Sequence, residues 1–133
     1  MLLPENLALR PVGFYEELGP VAHYAGKMRE ALQDKAAPDE QKVVNYLNGG
    51  YIMLDVPETA TDVIAGKERI IGAPSLMSDG TWVWRLDLAY YVANYHLRLP
   101  AEFLDHLYRR QFLVPSLSAL ELERVGQDAL RFF

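Results

Sequence analysis

Residues 75–85 read SLMSDGTWVWR, and this stretch decides the architecture that we expect. The Asp79-Gly80 pair supplies the positive φ angle that a tight hairpin turn requires, so the segments before and after it should pair as antiparallel strands. Because side chains alternate across a strand, Trp82 and Trp84 share one face of the returning strand. The sequence therefore predicts a β-hairpin whose second strand is strongly hydrophobic.

Two further strand patterns precede this turn. Residues 51–56 are nearly all apolar and end at Pro57, which is typical of a buried strand. Residues 69–77 form a second pattern that is interrupted at Pro74, where the ladder loses a donor. Together with the returning strand, these segments predict a small three-stranded, mostly antiparallel sheet over about residues 51–85.

Helical patterns lie on both sides of the predicted sheet. An apolar stripe that starts after Pro20 predicts an amphipathic helix over residues 20–34. In the last predicted helix, Val125, Ala129 and Phe133 share the apolar face. Helices before and after a sheet indicate the α+β class. Further helices are predicted over residues 38–48, 58–66, 87–96, 100–110 and 118–133.

The composition fits one domain over residues 1–133, since half of the residues are hydrophobic and single domains commonly have this length. The absence of cysteine excludes disulfides, thiolate nucleophiles and cysteine-ligated metals. No apolar run is long enough to span a bilayer, and the first residues do not resemble a signal peptide, so we expect a cytoplasmic protein. A net charge of -5 makes nucleic acid an unfavourable partner.

No catalytic motif stands out. The three histidines form no metal-binding pair on a helix, and the serines lie outside any nucleophile elbow, so neither a cofactor nor a metal is expected. One alternative stays open, in which carboxylates converge in a cleft beside the sheet. That alternative is a small hydrolase or ligand-binding enzyme that uses Asp55, Asp79, Asp87 or His96.

Acidic and aromatic residues are concentrated in the middle of the chain. Residues 51–80 contain five acids and only two bases, and these acids could form a patch that steers a basic partner. Tryptophan and tyrosine follow directly, and such residues are enriched at protein interfaces. The partner-binding residues that we predict are Asp55, Glu58, Asp62, Asp79, Trp82, Trp84 and Tyr90.

Three motifs also carry a family resemblance. The segments DGTWVW at 79–84, DLAYYV at 87–92 and YHLRLPAEF at 95–103 resemble a family of small uncharacterised bacterial proteins, over about residues 42–110. Small acidic proteins without cysteine resemble in turn the immunity proteins of bacterial polymorphic toxin systems, which bind a cognate toxin and block its active site. The resemblance implies a module that binds a toxin, and the acid excess predicts that the target is a basic toxin domain. We expect this cytoplasmic module to have no membrane attachment and to be a monomer or homodimer. A homodimeric scaffold is a third hypothesis.

Overall fold

A computed structural model describes residues 8–19 and 25–133 and has the α+β architecture that the sequence predicts. Helices lie on both sides of the strands along the chain, with a sheet region in the middle. In these ranges the strands are β1 (Arg10–Pro11), β2 (Tyr51–Leu54), β3 (Thr59–Thr61), β4 (Arg69–Ile71), β5 (Leu76–Ser78) and β6 (Trp82–Arg85). The α-helices are α1 (Glu40–Asn48), α2 (Leu88–Tyr95), α3 (Ala101–Arg109) and α4 (Ala119–Ala129).

The main sheet has the strand order β1-β6-β5-β2, and β3 pairs with β4 in a separate two-stranded sheet. The predicted hairpin is present, with Ser78 opposite Val83. The prediction of a single three-stranded sheet is wrong for two reasons. Strand β1 pairs with β6 in parallel. No sequence pattern predicted this strand, because it has only two residues and ends in proline. Gly72, with a φ of 74°, turns the chain before Pro74, so residues 69–77 split between the two sheets.

The helix predicted over residues 20–34 is absent from the part that the structure describes. Residues 20–24 lie outside the described ranges, and the remainder contains only a 3-10 turn at Met28–Ala31. Gly26 has a φ of 79°, a left-handed conformation that an α-helix cannot continue through. The Glu17 carboxylate accepts the backbone N–H groups of Met28 and Arg29 at 2.7 and 3.0 Å. In the described part of this segment, a 3-10 turn whose first N–H groups bond to Glu17 therefore takes the place of the predicted helix.

The prediction of a short helix over residues 58–66 is also wrong. Thr59–Thr61 is strand β3, in which Ala60 pairs with Ile70 and Thr61 with Arg69. Threonine is β-branched and suits a pleated strand better than a short helix. The chain then turns through residues 62–66, so the pairing with β4 outweighs the weak helical pattern.

The main sheet buries both of its faces. Trp82 and Trp84 lie on the face covered by α1, α2 and α3, and Val83 lies on the opposite face against α4. The alternation expected of β6 is therefore confirmed. Phe103 contributes to the first core with its ring edge-on to both indoles, at centroid distances of 5.2 and 5.9 Å. These aromatic contacts attach α3 to the centre of the sheet.

The last helix begins as predicted and ends differently. Ser118 and Glu121 form a capping box, in which each side chain accepts the backbone N–H of the other at 3.1 and 2.9 Å. After Ala129 the chain tightens into a 3-10 turn at Leu130–Phe132. The tighter winding turns Phe132 into the core and leaves Phe133 60% exposed, whereas the sequence placed Phe133 on the inner face.

The glycines Gly50 and Gly126 give a matched test of this packing. A Cβ atom at Gly50 would lie 2.6 Å from Cζ2 of the buried Trp84, whereas one at Gly126, inside α4, would meet no heavy atom within 4 Å. We expect Gly50→Ala to lower the free energy of unfolding by about 1–3 kcal/mol through overpacking. Gly126→Ala should raise it by about 0.5–1 kcal/mol, since alanine favours the helix.

Urea denaturation followed by circular dichroism measures both glycine variants. A Gly50→Ala protein as stable as the wild type would contradict the packing described around Trp84. The Gly126→Ala variant controls for the general effect of adding a methyl group, because it carries the same chemical change without the contact.

Candidate functional site

The acidic residues of the middle segment divide between surface and core. Asp55, Glu58 and Glu68 are exposed, whereas Asp62 and Asp79 are each 1% exposed. The two bases of residues 51–80 are also exposed, so the surface of this segment carries three acids against two bases. The acid excess that suggested a large steering patch is therefore mostly interior.

Asp79 connects the hairpin turn to two helices. Its carboxylate accepts the backbone N–H groups of Thr81 and Trp82 at 2.9 and 2.8 Å, which fixes the turn. The Tyr46 hydroxyl of α1 donates to it at 2.5 Å, and Nε2 of His106 in α3 lies 2.7 Å away. Burial, followed by the hydrogen bond to the Asp79 carboxylate, raises the pKa of Tyr46 above its usual range. Asp79 is thus a buried structural hub.

Asp62 forms a similar hub at the other sheet. Its carboxylate accepts the hydroxyl groups of Tyr90 and Tyr95 at 2.6 and 2.5 Å, and the backbone N–H groups of Ile64 and Ala65. Burial alone would raise the pKa of Asp62, but these hydrogen bonds outweigh burial and hold it below its usual value. The predicted contact residue Tyr90 therefore serves this network, with its ring half-buried.

The residues named for the enzymatic alternative do not converge in one cleft. Asp55 is exposed, Asp79 belongs to the hub just described, and Asp87 pairs with Arg85 at 2.9 Å. Burial raises the pKa of Asp87, although the Arg85 charge opposes that shift. His96 lies at the end of α2 with Nδ1 2.8 Å from Glu40. These groups form separate pairs and do not share a reaction centre.

The tryptophans do not reach the surface. Trp82 is 4% exposed and Trp84 is fully buried. The guanidinium carbon of Arg10 lies 4.3 Å above the Trp82 ring, and Arg10 also pairs with Glu102. Of the seven predicted contact residues, Asp55 and Glu58 are exposed and Tyr90 is intermediate, so these three are the ones that retain appreciable surface.

An apolar cleft of about 230 Å³ is lined in part by one of the two exposed acids, Glu58. We call it the Phe133 cleft, since Phe133 lines it and is itself largely exposed. Glu58 and Arg85 are its charged lining residues, and Asp55 precedes a lining residue. Its apolar lining comes from Phe14, Leu18, Val56, Leu76, Phe132 and Phe133.

Ile71 extends this surface at the neighbouring edge. It is 78% exposed on β4, and the backbone N–H of the next residue, Gly72, bonds to the Glu58 carbonyl at 2.8 Å. Ile71 was not singled out because it falls in a segment predicted as one strand of a single sheet, and Phe133 was missed because the helical period placed it inside. Only the separate two-stranded sheet and the final 3-10 turn expose these side chains.

A second cavity, of about 280 Å³, lies at the end of α2. His96 stands at its edge in the left-handed conformation, with a φ of 54°, which is uncommon for a residue other than glycine. Arg98 lines this cavity and also a more open cleft of about 510 Å³ that includes Lys27. The sequence offered no signal for Arg98 beyond its place within the YHLRLP segment.

Over residues 8–19 and 25–133, no group of three or more histidine or acidic side chains is placed to hold a metal ion. The longest α-helix in these ranges has 11 residues, and none there is long and apolar enough to cross a bilayer. Comparison with protein-family models, curated proteins and solved structures found no match for this chain.

Proposed function

We propose that this protein is a cytoplasmic binding module of the immunity type, which neutralises a toxin by covering a basic domain of that toxin with the Phe133 cleft and its acidic rim. The observation that carries the proposal is an apolar cleft lined by the exposed Phe133 ring and by the exposed Glu58. The resemblance to immunity proteins stays a part of this proposal and rests on the sequence motifs alone.

The apolar character of the cleft favours a protein partner. Exposed Phe133 and Ile71 each leave a large hydrophobic side chain in water, which is unfavourable unless a partner covers it. Aromatic side chains near the centre of an interface commonly provide most of the binding energy. Phe133 is the aromatic residue of this surface that a partner could enclose.

The charge of the rim indicates which partner would fit. Glu58 and Asp55 are exposed and form no ion pair with the described residues. Arg85, the cation of the cleft wall, is already neutralised by Asp87. The rim is therefore locally negative and complements a lysine- or arginine-rich surface. Because so much of the acid excess is buried, we expect local pairing to matter more than long-range steering.

The test is to search the neighbouring genes for a secreted toxin domain and to titrate that domain into the purified protein by isothermal calorimetry. We expect a saturable complex that Phe133→Ala weakens about 30-fold or more, since loss of a central aromatic anchor typically costs about 2 kcal/mol. Glu58→Lys should weaken it about tenfold by placing like charges together.

Two exposed positions outside the cleft supply the controls. Leu113→Ala removes an apolar side chain that is 66% exposed, and Glu123→Lys reverses an exposed charge on α4. Both should bind like the wild type. The proposal fails if no neighbouring gene encodes a secreted toxin, or if the Phe133 and Glu58 variants bind as tightly as these controls.

A further inference from the structure

The geometry points to a second binding site, in which the cavity at the end of α2 takes a small organic carboxylate with an apolar body. This cavity, of about 280 Å³, is separate from the Phe133 cleft and shares no lining residue with it. The inference does not depend on the proposed function, because it concerns a different ligand on a different part of the molecule.

The floor of the cavity is apolar. Val43 of α1 and Val92 of α2 come from two packed helices, and Leu97, Leu99 and Leu104 add to the same apolar floor. The first four of these side chains are buried, so they are held in place by the core behind them. A rigid hydrophobic floor of this kind suits an alkyl or aryl group.

The rim of the cavity carries two cations. Lys35 and Arg98 both line the cavity, and over the described residues neither side chain forms an ion pair or a hydrogen bond. The backbone N–H of Arg98 donates to the Ala31 carbonyl at 2.9 Å, which anchors the main chain while the guanidinium stays available. Two uncompensated cations beside an apolar floor favour an anionic headgroup.

His96 belongs to the same lining and contacts its one acid. Its Nδ1 lies 2.8 Å from Oε2 of Glu40, so the ring and this carboxylate hold each other at the edge of the cavity. Lys35 and Arg98 outnumber Glu40 in the lining. The formal charge around the cavity is therefore positive, as binding of a carboxylate requires.

A carboxylate fits better than a phosphate because the lining is mainly hydrophobic. A phosphate carries more charge and requires several donors around it, whereas one carboxylate can be bound by the bidentate guanidinium of Arg98. The apolar body then occupies the space between α1 and α2. Octanoate has both parts and serves as the probe.

The experiment follows the amide signals of the full chain by two-dimensional NMR while octanoate, acetate or 1-octanol is added. We expect octanoate to shift the signals of residues lining the cavity in a saturable way, and to bind at least tenfold more tightly than either partial probe. Equal binding of acetate would mean that the floor is not used, and equal binding of 1-octanol would mean that the cations are not used. Either result, or no saturable shift with octanoate, overturns the inference.

Variants complete the test. Arg98→Gln should weaken octanoate binding about tenfold, whereas Arg109→Gln, an exposed arginine of α3 that lies outside the lining, should leave it unchanged. His96→Asn keeps a residue that tolerates the left-handed backbone while removing the imidazole that contacts Glu40, and it should also weaken binding because the released carboxylate repels the ligand. Well-dispersed spectra establish that each variant is folded. Unchanged affinity in Arg98→Gln contradicts the site.

Discussion

Replacing Asp79 with alanine is expected to lower the free energy of unfolding by about 3–5 kcal/mol, a large part of the stability of a domain of this size. The variant removes an acceptor that serves two backbone N–H groups of the turn, the Tyr46 hydroxyl and the His106 ring. Each donor left buried without a partner costs about 1–3 kcal/mol, although the costs do not add fully. Urea denaturation of the purified variant measures the effect.

Two comparison variants distinguish the loss of the hydrogen bonds to Asp79 from the general effect of replacing an aspartate. Asp79→Asn keeps one carbonyl oxygen for the turn but offers an amide to Tyr46 and His106, so its loss should be smaller than that of the alanine variant. Asp55→Ala deletes an exposed carboxylate and should change stability by no more than about 0.5 kcal/mol. A loss below about 1 kcal/mol in Asp79→Ala would contradict the hub.

The second large effect is a loss of stability at alkaline pH. Five tyrosines that are buried or half-buried have pKa values raised above the ordinary value for tyrosine. Burial raises the pKa of Tyr15 and Tyr91 to about 12. The residues concerned are Tyr15, Tyr46, Tyr90, Tyr91 and Tyr95.

The direction of this change in stability with pH follows from which protonation state of tyrosine the folded protein favours. A raised pKa means that the folded state favours the protonated phenol, so this stabilisation is fully present below about pH 10 and is lost as the pH rises through the folded pKa. Each such tyrosine lowers the free energy of unfolding by about 1.4 kcal/mol per pH unit within its window. We expect stability to fall steeply between about pH 10 and 12.

Two measurements check the alkaline prediction. Tyrosinate absorbance should rise in one cooperative step that coincides with unfolding, and urea midpoints should fall over the same pH range. Tyr15→Phe is the matched variant, because over the described residues the structure assigns no hydrogen bond to the Tyr15 hydroxyl. It should match the wild type near pH 7 and decline less steeply above pH 10. A gradual absorbance rise centred at pH 10 would contradict the burial of these phenols.

Sequence patterns predicted the elements whose signals are local. The Asp79-Gly80 turn, the capping box at Ser118 and the alternation across β6 depend on neighbouring residues alone, and all are present. The helix over residues 20–34 failed because an apolar stripe does not reveal that Gly26 takes a positive φ. Strand β1 could not be predicted either, since its two residues gain a partner only from the folded hairpin.

The candidate site was less accessible to prediction because burial of a charge depends on distant donors. Asp62 and Asp79 look like surface residues in the sequence, yet tyrosines 28 to 33 positions away satisfy their carboxylates. Glu58, one of the acids assigned to the predicted patch, is exposed. The exposure of Phe133 depends on the final change from α-helical to 3-10 winding, and the spacing of apolar residues does not predict that change.

The second core, which lies between the main sheet and α4, also limits when folding can finish. It joins the two ends of the described chain: the ring of Phe14 lies 5.8 Å from that of Phe132, and Asp128 accepts the backbone N–H of Leu9. On the ribosome this face of the sheet stays uncovered until synthesis has passed Phe132. Contacts between residues so far apart in sequence also slow the final step. A nascent chain therefore presents a hydrophobic sheet face to chaperones until α4 and the turn after it emerge.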